Sequence, residues 1–118
     1  MAESIDAIVR SALDPLVSER VFPDVAPPGT ARPYMTYQAV GGDLAPTFDG
    51  VSTTVNARVQ VNVWSDGRVE ATALIYQAVA VLCGDDVKGV PIGGPVSTHE
   101  EDTNLYGSRL DFSIWFSA

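Results

Sequence analysis

Thr54-Val55-Asn56-Ala57-Arg58-Val59-Gln60-Val61-Asn62-Val63-Trp64 alternates without error between polar and apolar side chains. A repeat of two is that of a β-strand, whose successive side chains point to opposite faces. Val55, Ala57, Val59, Val61 and Val63 therefore line a buried face. Thr54, Asn56, Arg58, Gln60, Asn62 and Trp64 lie on the other, which meets water or a partner. Valine, stiff at its branched β-carbon, suits such a half-buried pleated surface.

On the C-terminal side of this strand, Ser65 or Asp66 is placed to cap a helix. Its expected buried stripe draws on Val69, Ala73, Tyr76 and Ala80 with Leu74 and Val81, and Gly84 stops it. On the N-terminal side, residues 34–40 read as a strand rich in aromatic and β-branched residues, ended by Gly41-Gly42. Residues 41–53, with turn signals at Pro46 and Asp49-Gly50, are expected to form a protruding hairpin loop.

Further out, Ile5, Ile8, Val9, Ala12, Leu13 and Leu16 recur at helical spacing, with Ser4 as cap and Glu3 and Asp6 at the positive end of the dipole. This predicts a helix over 5–17, kinked or stopped before Pro15. Arg20-Val21-Phe22 makes a short strand, followed by breakers at Pro23, Pro27, Pro28, Gly29 and Pro33. Towards the C-terminus, 85–95 reads as a loop with a brief extended piece at Val90 and Ile92, and 96–101 as a strand. After a turn at 102–107, Leu110, Phe112, Ile114 and Phe116 point inward and Arg109, Asp111, Ser113 and Trp115 outward.

Short connections between these strands predict an α+β fold: a mostly antiparallel sheet of four to five strands with two helices packed on one face. The opposite face carries Arg58, Gln60, Asn62, Trp64, Asp111, Ser113 and Trp115. The length, 118 residues, suits a single domain over 1–118, and no repeat or low-complexity segment divides it.

Composition narrows the function. Fifteen Asp and Glu against seven scattered Lys and Arg leave a net charge of −8. Tight nucleic-acid binding needs clustered cations, so it is not expected, whereas an acidic wall lets DNA pass without sticking. No apolar run reaches the length of a membrane span, and the acidic start Met1-Ala2-Glu3-Ser4-Ile5-Asp6 is unlike a signal peptide. One cysteine, Cys83, rules out an intrachain disulfide and suits a reducing compartment such as the cytoplasm.

The residues that carry chemistry do not assemble into a known motif. His99-Glu100-Glu101-Asp102 is the cluster nearest to a metal site, but a strand lets only His99 and Glu101 converge, and one His with one Cys is too few for a zinc site. It reads as a solvated charge run. Cys83 has no adjacent basic group to activate it and reads as a packing residue. Gly84, Gly89, Gly93 and Gly94 match no phosphate-binding pattern, and Asp85-Asp86 lie in a solvated loop. Trp64 and Trp115 have two readings each: cover for the sheet, or anchor in an oligomer interface. No catalytic residue, metal ligand or cofactor is expected.

Val21-Phe22-Pro23-Asp24-Val25-Ala26-Pro27, then Arg32-Pro33-Tyr34-Met35-Thr36-Tyr37-Gln38, then Val59-Gln60-Val61-Asn62-Val63-Trp64 leading into a helix, resemble in order and spacing the tail-completion or tail-terminator family of long-tailed bacteriophages. Residues 91–102 match no motif of that family. The resemblance implies a non-enzymatic virion protein assembled in the bacterial cytoplasm. It implies a ring, commonly a hexamer, at the head-proximal end of the tail, between the tail tube protein and the head-tail connector protein. Relatives occur in prophages and gene-transfer agents. On this reading DNA passes through the ring without specific binding, and no membrane is involved. Asp49, Arg58, Gln60, Asn62, Trp64, Asp111 and Trp115 are the candidate interface residues. The competing reading is a small cytoplasmic adaptor or ligand-binding domain, and a weaker one is a metal enzyme centred on His99 and Glu101.

Overall fold

The computed structural model describes residues 4–47 and 50–117; Asp49 lies outside them. Helix α1 runs Ile5–Leu13, followed by a 3-10 turn at Asp14–Leu16. Then come strands β1 (Val21–Pro23), β2 (Tyr34–Ala39), β3 (Leu44–Thr47) and β4 (Gly50–Ser65), helix α2 (Arg68–Leu82), and strands β5 (Val90–Glu100) and β6 (Leu105–Ser117). The sheet order is β1-β2-β4-β6-β5, with β3 paired to the start of β4. Every pairing is antiparallel except that of β1 with β2. The expected α+β class and mostly antiparallel sheet hold, with β3 as an added strand.

Both helices pack on the face lined by the valines of β4. Val59 pairs with Phe112, Val61 with Leu110 and Tyr37, and Ala57 with Ile114, so inward side chains of three strands stack in rows. Val9 and Leu13 of α1 and Leu74, Ile75, Ala78 and Leu82 of α2 close this core. Each buried Val, Leu or Ile side chain contributes about 1.5–3 kcal/mol by leaving water. Ser4 caps α1 as expected, its Oγ accepting from Ala7 N at 3.1 Å. Pro15 sits in the 3-10 turn, where the α-helix has already stopped.

Three expectations need correction. Val69, Ala73, Tyr76 and Ala80 do not form the buried stripe of α2: Val69 is 85 % and Tyr76 58 % exposed, and the helix buries Ala71, Leu74, Ile75, Ala78 and Leu82 instead. Arg68–Leu82 is apolar on both sides, so spacing alone does not choose the face. The cap of α2 is Gly67, with no side-chain cap bond. Ser65 instead accepts from Gly67 N at 3.2 Å and donates to Glu70. Residues 90–95, expected in a loop, open β5, whose register shifts between Ile92 and Val96. Pro91, Gly93, Gly94 and Pro95 are tolerated because β5 is an edge strand and bulges there.

The expected hairpin at 41–53 is present as β3 with the start of β4. Pairing of β4 with β6 ends at Thr54 and Ser117, so this hairpin runs on past the sheet's main body. Among the described residues, no helix is long and apolar enough to cross a membrane.

Tyr37 ties the sheet to α1, its hydroxyl donating to Asp6 Oδ1 at 2.8 Å. Burial first, and the bond to Asp6 second, raise its pKa above the ordinary tyrosine range. A pKa raised on folding adds stability that is whole below the unfolded value, near 10, and is lost as pH rises through the folded one. Urea unfolding from pH 9 upward is expected to show stability falling above pH ~10, with a shallower fall in Tyr37→Phe. Equal slopes would remove Tyr37 as the cause.

Candidate functional site

The outer face of the sheet gathers most of the residues singled out in the sequence. In the β4–β6 register Arg58 lies opposite Ser113, Gln60 opposite Asp111 and Asn62 opposite Arg109. Arg58 Nε reaches Asp111 Oδ2 at 2.7 Å, and Gln60 Nε2 donates to Asp111 Oδ1 at 3.3 Å. Asn56 Nδ2 donates to Ser113 Oγ at 2.8 Å. These groups satisfy one another, so a second surface can cover them at a smaller desolvation cost than free polar groups would impose. Asn62 is half-buried, between Thr36 and Arg109 in register.

The two tryptophans separate. Trp64 is half-buried, its indole N–H donating to Thr36 Oγ1 at 3.1 Å. Its ring lies so close to Gly107 that a β-carbon there would come within 3.1 Å of Trp64 Cζ3. Trp64 thus packs over Thr36 and Gly107 while staying partly exposed. Trp115 is 50 % exposed on the same face, near the end of β6. Val90, paired with Ser113, lies diagonally beside it.

Beside this polar patch β5 exposes Val90, Ile92 and Val96, which sequence reading placed in or near a loop. The alternation of Val90 with Ile92 was the available signal, and the following glycines and prolines obscured it. Ile92, Val96 and Arg109 border a shallow depression of about 300 Å³, with Arg58, Gln60 and Asp111 also lining it. A larger groove of about 770 Å³ opens on the helical side, where Ile8, Ala12, Val81, Asp85, Asp86 and Phe116 meet.

The opposite end of the sheet holds polar ties. Arg32 bonds Asp66 at 2.7 Å and the Thr103 carbonyl at 3.0 Å, linking three connections. His99 packs on Tyr106 with centroids 4.5 Å apart, and its Nε2 lies 2.9 Å from Asn104 Oδ1. Arg68 stands over the other ring of this stack, 5.9 Å from the Tyr106 centroid. Burial, then the charge of Glu100, raises the pKa of Tyr34, against a smaller opposing effect of Arg32. Burial likewise raises that of the Cys83 thiol, away from a reactive thiolate. Among the described residues, no three His, Cys, Asp or Glu side chains gather as metal ligands.

Fold and surface together define a small α+β protein that presents an open sheet face beside an apolar edge strand. The chain belongs to the tail completion protein gp17 family, whose model matches residues 6–117. It is accordingly a structural protein of a phage-type tail. Among solved structures, one described as the virion of a native gene transfer agent (GTA) particle contains a similar chain: TM-score 0.67, 20% identity, covering 98% of this chain and 96% of that one. At that identity the likeness speaks for the fold. A comparison with curated proteins finds no match.

Proposed function

We propose that residues 1–118 act as one domain that closes into a ring of about six copies at the head-proximal end of the tail. The ring ends the tail tube and joins it to the head-tail connector protein. The observation that carries this reading is the outer sheet face: self-satisfied polar groups, an exposed tryptophan and an apolar edge strand side by side, as in a contact surface. Arg58, Gln60, Asn62, Asp111 and Trp115 lie in that contact, with Trp64 beside them on the same face, and Asp49 is assigned to contact with a neighbouring ring.

The protein acts without catalysis or cofactor, and its net charge of −8 lets DNA pass through the ring without binding. Subunits fold in the bacterial cytoplasm and end in the virion tail. Light scattering and negative-stain electron microscopy of the protein mixed with its tail tube protein test this. Closed rings of uniform size are the expected result, and monomers alone at every concentration would overturn it.

A further inference from the structure

Helix α2 has a second apolar side that the core does not use. Val69, Ala73, Tyr76 and Ala80, spaced four, three and four apart, share its outward face, and all are exposed. A contiguous exposed apolar patch on a soluble domain marks a contact site. Residues 71–84 contain no charged side chain, in a chain where Asp, Glu, Lys and Arg number 15 and 7. Two copies that each carry −8 repel, so they meet most readily where such charge is absent.

The surface of matching character is the outer strip of β5 with Trp115. Its depression is lined by apolar Ile92 and Val96 together with Arg58, Gln60, Arg109 and Asp111. A phenol ring suits such a mixed lining, with Ile92 and Val96 to take the ring, a guanidinium to lie on its face and polar side chains to meet its hydroxyl.

Charges at the ends of the two surfaces correspond as well. Exposed Asp85-Asp86 lie at one end of α2 and exposed Glu70, with Arg68 beside it, at the other, about 22 Å away at the helical rise. Lys88, two residues before β5, and Arg109, opposite Val96, lie towards the two ends of the strip. Neither cation makes an ion pair among the described residues.

Building on the ring reading above, we infer that α2 of one copy docks on the β5–β6 outer strip of a second copy, with its Tyr76 in the depression beside Ile92 and Arg109. The two surfaces are different parts of the molecule, so the contact is heterologous and joins copies head to tail, the geometry from which a ring closes.

Tyr76→Glu and Ile92→Glu each spoil one surface at an exposed position, and circular dichroism checks that both variants fold. With tail tube protein present, native mass spectrometry is expected to show rings for the unaltered chain and monomers for either variant alone. An equimolar mixture of the variants keeps one good surface of each kind and is expected to give a dimer that grows no further. A mixture that stays monomeric, or a variant that dimerises by itself, overturns the pairing of these surfaces. Rings formed by both variants overturn it too, while leaving the ring reading intact. Monomers for the unaltered chain overturn both.

Discussion

Replacing Phe112 with alanine is expected to lower the unfolding free energy by about 3–5 kcal/mol. Phe112 is fully buried and, among the described residues, is the largest side chain so placed. It stands on β6, which has β4 on one side and β5 on the other, so the strand is held from both edges and cannot move in to fill the cavity. Opposite Val59, it shares one core with Ile75 and Leu82 of α2. Domains have only about 5–15 kcal/mol of net stability, so this loss is roughly a fifth of it or more. At about 3–5 °C per kcal/mol for this length, the melting temperature should drop by roughly 10–20 °C. Urea unfolding followed by circular dichroism measures it. A loss below about 1 kcal/mol would mean that the helical layer closes over the vacated space.

The two long strands were legible in sequence because each has one dry and one wet face, which prints alternation directly into the residues. Ser4 and Pro15 likewise mark the start of α1 and the stop before its 3-10 turn through local chemistry. The face of α2 was not legible, since Val69, Ala73 and the ring of Tyr76 offer an apolar side beside the Leu74 and Ile75 that the core takes. Periodicity reports which residues differ from their neighbours, and here few do. β5 was hidden for another reason: Pro91, Gly93, Gly94 and Pro95 signal a loop anywhere except on a bulged edge, and only the order of strands makes this segment an edge.

The candidate site divides in the same way. That Arg58, Gln60 and Asp111 share a face follows from alternation within each strand. Their meeting requires the β4–β6 register, which the sequence does not display. Alternation also places Trp64 and Trp115 on one face but leaves their exposure open. Trp64 is flanked by β2, where Thr36 takes its N–H, and by Gly107, which makes room for its ring. Trp115 stands near the strand end, past the reach of β2, and half of it remains in contact with water.

From that difference, Trp115→Ala is expected to abolish assembly and leave folding nearly untouched, with Trp64→Ala as the contrast. An exposed side chain away from core contacts changes stability by no more than about 0.5–1 kcal/mol when truncated. The same truncation at a tryptophan anchoring an interface costs about 2 kcal/mol or more, roughly 30-fold at each contact. A closed ring repeats that loss at every junction, so at concentrations where the unaltered chain is assembled, Trp115→Ala should run as a monomer. Trp64→Ala removes a half-buried ring, its bond to Thr36 and its packing on Gly107, and should cost about 3 kcal/mol or more in urea unfolding. Light scattering with the tail tube protein, beside urea titration of both variants, separates the two effects. Equal stability losses would make Trp115 part of the fold, and assembled Trp115→Ala rings would remove it from the junction.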